Sequence, residues 1–363
     1  MKNNLVSILV NGKAYGGWES VSITRSLENA AAGFQLAVSD RFPGQRQPLR
    51  IIPGDACQVR IDEDLVITGY VDQVNPSHDA NSHSIAVTGR SKTADLIDCS
   101  DEPPWSSIHN QTILQIAHRM AQPFGVDIVD NLKDKTEPLS QFDSNPGDTV
   151  FSTISRLASR KGCLVTDDEK GRLLLTRAGS AKASTMLRTG QGGNILSGSA
   201  TFDQSNRFKR YIVIGQGKGD DFNHGEAVAG IMAEAQDLGV KRNRPIVIRA
   251  EGTVDLKKAQ DRARWEAAAR VGKSLNLTLT VQGWRQENGD LWRVNHLVYV
   301  LDPILTVDGE FLIVSVNYVL GSQGTLTTLT LSPKAAYELI PSDPDPTKDI
   351  GVYEELREGI KSL

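Results

Sequence analysis

The residues best suited to chemistry are scattered along the chain, and their spacing argues against most of the reactions they could serve. Six histidines occur, His78, His83, His109, His118, His224 and His296, and none sits in an HExxH or other metal-ligand spacing. His78 and His83 stand five apart beside Asp79 in a turn-prone stretch, a weak hint of a metal and a better match to a solvated loop. His118 falls in a helical pattern and reads as a surface or half-buried side chain. Asp167, Asp168 and Glu169 precede Lys170-Gly171 and mark a hairpin tip; a calcium loop would need further oxygen ligands at alternate positions. A glycosidase would need two carboxyl groups at a defined separation, and no pair stands out. No G-x-S-x-G serine and no phosphate-binding G-x-x-x-x-G-K-[ST] loop is present. Gly215-Gln216-Gly217-Lys218-Gly219 lacks the following Ser or Thr, and Asp220 and Asp221 would repel phosphate, so it reads as a flexible loop. No catalytic residue, metal or cofactor is expected. Cys57, Cys99 and Cys163 are odd in number, far apart and free of any CxxC pair, which predicts unpaired, buried thiols in a reducing compartment. The tryptophans Trp105, Trp284 and Trp292 are candidates for core or interface, with Trp284 and Trp292 flanking the turn Asn288-Gly289. For Trp284 and Trp292 a barrel-stabilising role is the bland reading and an interface role the sharper one; Trp18, Trp284 and Trp292 are taken as interface candidates.

The bulk properties narrow the classes further. A chain of 363 residues suits two or three domains, each with its own core. With 39% hydrophobic and 23% charged residues, the composition is that of a globular protein rather than a disordered one. Lys and Arg number 40 against 44 Asp and Glu, a net charge of -4, which weighs against nucleic acid as the main partner. The clusters Arg242-Asn243-Arg244 and Lys257-Lys258 lie among acids and read as solvated faces. Met1–Val10 lacks the apolar run and cleavage site of a signal peptide, and no stretch nears the roughly 20 apolar residues that span a bilayer. The expectation is a protein made and kept in a cytoplasm unless a larger assembly carries it out.

The elements that must position these residues begin and end in β structure. Leu5–Val10 leads into the hairpin turn Asn11-Gly12, and alternating apolar residues continue at Val21–Thr24, Phe34–Val38, Cys57–Ile61, Leu65–Val74 and His83–Gly89. After Asp101-Glu102-Pro103-Pro104 two helices are expected, one capped by Asn110 and one by Asp148, followed by a hairpin around Asp167–Gly171. The Gly, Ser and Ala-rich stretch from Gly179 to Gly198 reads as a loop-rich connector. It precedes a strand at Phe208–Gly215, a short helix at Glu226–Asp237 and an Ala-rich helix from Val254 to Gly272 striped by Leu256, Ala259, Ala263, Ala267 and Val271. Strands return at Leu275–Gln282, Leu291–Leu301, Glu310–Val319 and Thr325–Leu331. Pro341–Pro346 is an extended linker ahead of a short amphipathic tail, Tyr353–Leu363.

The two β regions resemble each other. Gly33–Ser39 matches Ser274–Thr280, Asp55–Val59 matches Val294–Val298, Leu65–Val74 matches Glu310–Val319, and His83–Gly89 matches Thr325–Leu331, in the same order. Any two β meanders share alternation, so chance similarity is the rival reading. The fold class expected is α+β: two similar small antiparallel β-barrels joined by a compact α/β unit. The divisions are an N-terminal barrel over 1–100, an α/β domain over 101–178, a connector with strand and helices over 179–272, a C-terminal barrel over 273–335, and a linker and tail over 336–363.

Val6–Trp18 with its Asn11-Gly12 turn and Gly16-Gly17-Trp18, the Pro53-Gly54-Asp55 turn, Leu65–Val74, and the run Val281-Gln282-Gly283-Trp284, Asn288–Trp292 and Val294-Asn295 together resemble the Mu-like phage baseplate hub proteins. The late run also resembles the related spike-hub proteins of type VI secretion. The resemblance covers nearly the whole chain, much of it in order of elements. It implies a homotrimeric ring at the tip of a contractile tail, in the virion baseplate, that adapts a sixfold tail tube to a threefold central spike, with DNA at most passing through. It carries no active-site residues. Two other readings stand beside it: a tail-tip peptidoglycan hydrolase, and a pore protein that contacts DNA. The tail after Ser342 is expected to dock on a neighbouring or spike protein.

Overall fold

The computed structural model describes residues 4–39, 51–79, 83–101, 108–132, 138–142, 146–160, 162–216, 230–253 and 255–338. Trp105, His224, Gly217–Gly219, the start of the expected Glu226–Asp237 helix, and the linker and tail from Pro341 onward lie outside the described residues.

Seven strands open the chain: β1 (Val6–Val10), β2 (Lys13–Tyr15), β3 (Ser20–Ser26), β4 (Gly33–Ser39), β5 (Ala56–Ile61), β6 (Asp64–His78) and β7 (His83–Ser91). The β1–β2 turn is the expected one, because Asn11 and Gly12 both take positive φ, 50° and 76°, as a two-residue hairpin requires. The middle unit follows with α1 (Ala94–Asp98), β8 (Ile108–Gln111), α2 (Ile113–Ala121), β9 (Ile128–Asp130), β10 (Leu139–Phe142), α3 (Val150–Arg160), β11 (Leu164–Asp167) and β12 (Leu173–Thr176). Its helices bury Leu96, Ile116, Ile154 and Leu157 against Leu173 and Leu175. Neither expected cap is the actual one. Asn110 lies in β8, and Thr112 caps α2 in a reciprocal box with Gln115. Asp148 pairs with Arg156 at 3.0 Å, and the Thr149 hydroxyl accepts the Ser152 amide at the start of α3.

The stretch expected to be a loop-rich connector with a strand and helices holds additional strands. β13 (Leu187–Arg188) and β14 (Ile195–Phe202) are followed by β15 (Arg210–Gln216), β16 (Ile231–Gln236) and β17 (Pro245–Thr253), then α4 (Leu256–Lys273). Ile231–Gln236 is therefore a strand where a helix was expected. Its Ala-Glu-Ala composition favours helix, but Ala233 packs under α4 with Ala259 and Ala263, and pairing to β15 decides the local structure. Helix α4 starts one residue after its cap, Asp255, whose carboxylate accepts the Lys258 amide at 2.7 Å. In its expected stripe Ala259, Ala263 and Ala267 are buried, while Leu256 is exposed. The chain's last strands are β18 (Leu275–Gln282), β19 (Leu297–Asp302), β20 (Val307–Gly321) and β21 (Gly324–Ser332).

Both ends of the chain share one thirteen-stranded sheet, ordered β14-β18-β21-β20-β3-β4-β7-β6-β5-β1-β2, with β19 on β20 and β13 on β19. They also share one apolar cluster, which runs from Ile8, Ile23 and Val59 to Leu277, Trp284 and Leu329. The joint is the antiparallel pairing of β3 with the later part of β20, Thr24 opposite Asn317.

Within this sheet the same order occurs twice. The run β3-β4-β7-β6-β5 is repeated by β14-β18-β21-β20-β19. Local irregularities repeat as well. The β6–β7 register shifts between Val71 and Gln73, and the β20–β21 register shifts between Ile313 and Ser315. Val71 exchanges backbone bonds with Gly54 and Asp55, as Ile313 does with Asn295 and His296. Gly54 and Asn295 both have positive φ, 92° and 65°. These anchors equate Val71 with Ile313 and, through the ladders, Phe34 with Leu277. The sequence comparison set Val71 against Val316 and Phe34 against Leu275, because alternation fixes a face and not a register.

Candidate functional site

Among the described residues the candidate catalytic groups are not brought together. His78 and His83 stand opposite each other in the β6–β7 ladder. His118 is exposed on α2 beside a shallow depression lined by Arg119, Gln122, Gly125, Val126 and Asp127. Burial, helped by the Arg293 charge, holds the His296 imidazole below its ordinary range. Among the described residues no group of three or more His, Cys, Asp or Glu could hold a metal ion. Nor is any described helix long and apolar enough to cross a membrane.

The acids at the β11–β12 tip are engaged in structure. Asp168 accepts the Lys170 and Arg172 amides at 3.0 and 2.9 Å and binds the Arg172 guanidinium. Asp167 is buried against Arg25 of β3, with 3.2 Å between charges, and its other oxygen accepts the Ala32 amide at 3.1 Å. Arg25 also donates to the carbonyls of Val66 and Asp167. Burial pushes the Asp167 carboxyl above its ordinary range, against the pull of Arg25. Thr166 donates to Ser26 O and Thr68 to Glu169 O, and a side chain at Gly171 would meet Thr68 O at 2.6 Å. The tip thus seats the α/β unit on β3 and β6. The sequence marked the turn, but nothing in it pointed to Arg25, 142 residues away.

The tryptophans taken as interface residues lie in the core. Trp18 is 6%, Trp284 0% and Trp292 2% exposed. The Trp284 indole donates to Val319 O and Leu326 O at 3.1 and 3.0 Å and meets Tyr318 edge-on. The Tyr318 hydroxyl donates to Trp292 O. Covered by their own chain, these indoles fill the sheet's interior. Cys57 and Cys163 are buried as expected, and Cys99 is partly exposed.

What the surface does present is open strand edge. β14 pairs only with β18 among the described strands, and Ile195–Phe202 contains neither charge nor proline. Leu196 and Phe202 are 57% and 48% exposed. On β6, strand β5 covers the edge only as far as Tyr70, so among the described strands Gln73–Ser77 has no partner on that side. Edges of this kind are where chains add to one another. No periodic pattern marks β14 in the sequence, since both its faces are largely exposed.

Comparison with known proteins agrees with this architecture. Residues 5–91 match the family model for the N-terminal part of the Mu phage baseplate assembly protein GpP-like proteins. Residues 93–177 match the second domain of the baseplate hub protein gp44-like family, and residues 255–340 the fourth domain of the Mu phage baseplate assembly protein GpP. The baseplate hub protein gp44 of Escherichia phage Mu is 32% identical over 352 residues, covering 94% of this chain and 91% of gp44. The crystal structure of the 43 kDa tail protein of prophage MuSo2 from Shewanella oneidensis aligns with a TM-score of 0.82 and 35% identity, over 93% of this chain and 100% of that one. The E. coli c3393 protein, a component of the type VI secretion system, shares the fold, with a TM-score of 0.52 and 13% identity over 92% of this chain and 80% of that one. By sequence and by fold, the chain belongs to the baseplate hub family of Mu-like phages and prophages.

Proposed function

We propose that three copies of this structural hub close into a ring in which each contributes two similar barrels, six in all, so that a threefold central spike meets a sixfold tail tube. The observation that carries the reading is the doubled strand order, β3-β4-β7-β6-β5 and β14-β18-β21-β20-β19, inside one chain. A subunit that offers the same surface twice lets three chains present six equivalent sites. The division at about residues 100, 178, 272 and 335 belongs to the same proposal, supported by the separate matches over 5–91, 93–177 and 255–340. The ring is assembled in the host cytoplasm, acts by geometry and not by catalysis, and lets DNA pass without gripping it, in keeping with a net charge of -4. Sedimentation equilibrium at micromolar concentration tests it. Three times the chain mass of 39.5 kDa is expected, and a monomer would overturn the ring.

A further inference from the structure

A closed ring of identical chains needs two different surfaces on each copy that fit one another. The internal repeat supplies both. Strand β3 has one edge on β4 and the other on the later part of β20. Its counterpart β14 has one edge on β18, the counterpart of β4, and the other edge open among the described strands. The counterpart of β20 is β6, and the stretch that matches the β3-binding part of β20 is the open Gln73–Ser77.

We infer that β14 of each copy pairs antiparallel with Gln73–Ser77 of β6 in the next copy, reproducing between chains the β3–β20 ladder found within one. The inference rests on the ring proposed above and adds its seam. The register follows from the anchors of the repeat. Arg25 opposite Val316, Thr24 opposite Asn317 and Ser22 opposite Val319 within the chain become Phe202 opposite Val74, Thr201 opposite Asn75 and Ser199 opposite Ser77 between chains.

The side chains at the two seams agree without having entered that derivation. Inside the chain the hydroxyls of Ser22 and Thr24 both donate to Asn317 Oδ1, at 3.1 and 3.2 Å. Their counterparts are Ser199, Thr201 and Asn75, the same three residue types, all exposed in the single chain. Phe202, 48% exposed, would lie over Val74, which packs against the main core. Pro76, the counterpart of Tyr318, withholds one donor, which a strand tolerates at an edge. It also guards β6 against promiscuous pairing before assembly. β14 carries no such guard.

The test is a disulfide across the seam. Opposed residues of an antiparallel pair have Cα atoms about 4.5–5.5 Å apart, within disulfide reach. The full chain carrying both Ser77→Cys and Ser199→Cys is oxidised and run on a denaturing, non-reducing gel, where linked dimers and trimers are expected. Neither single variant nor the unmodified chain should give them, while a mixture of the two single variants should give dimers. Sedimentation of the unoxidised double variant separates the two levels of the argument. A trimer without cross-links overturns the seam and leaves the ring standing. A monomer overturns both. Linked dimers from Ser77→Cys or Ser199→Cys alone would mean a twofold contact and would also overturn the seam.

Discussion

Burial pushes the Cys57 thiol up to about 12, and the neighbouring Asp72 carboxylate adds to the effect. The unfolded chain would ionise this thiol near the ordinary value of about 8.5. Its contribution to stability is therefore complete below that pH and is lost as pH rises toward 12. At pH 8 the expected outcome is that iodoacetamide labels the partly exposed Cys99 at least about tenfold faster than Cys57, because the thiolate is the nucleophile. Denaturant should abolish the difference, read by mass spectrometry of the peptides. Other features at this scale were legible only halfway. Trp284 and Trp292 stood out as large aromatics beside a turn, yet residue type does not say which way a ring points. The Arg25–Asp167 pair was invisible, since nothing local links positions so far apart.

Elements were read well where one face is buried. Leu275–Gln282 alternates apolar and polar, and the strand has those same bounds. Where both faces are wet, as in β14, or where composition favours helix, as in Ile231–Gln236, the pattern carried no signal or a misleading one. Capping was off by one or two residues because Asn and Asp compete with Thr for the same role and only backbone geometry chooses. Helix α4 depends on a close approach that the sequence marks only as one more glycine. A Cβ at Gly272 would come within 2.4 Å of Ala336 N. Gly272→Val should push the Lys334–Ala336 turn off the helix and break the 2.7 Å bond from Trp265 Nε1 to Glu338 O. The expected cost is about 1–3 kcal/mol, measured as a lower denaturant midpoint.

For the molecule as a whole, the α+β class and the duplication were legible in order but not in register, and the union of both ends in one sheet was not legible at all. Arg285 is a second tie between those ends. Its guanidinium lies 3.0 Å from Asp62, in the turn between β5 and β6, and 2.7 Å from Asp64, the first residue of β6, and it also donates to Asn4 and Gly289. With the arginine side chain only 10% exposed and Asp62 13% exposed, Arg285→Ala removes the cation that Asp62 binds largely out of solvent, while Asp64, 34% exposed, is better screened. A loss of about 1–3 kcal/mol is expected. Urea unfolding should show it as a lower midpoint, with a shallower slope if the two ends then melt separately.

The β3–β20 joint carries a consequence for synthesis on the ribosome. The Thr24–Asn317 contact spans 293 residues, so the inner edge of β3 waits for its partner until almost the last strand has been made. Contacts of such long range form late and slowly. A nascent or truncated chain therefore exposes β3 just as the finished chain exposes β14, and the two would compete for the same kind of partner. Completing the carboxy-terminal strands silences the first edge and leaves the second available, so in the proposed ring each copy finishes itself before it joins another.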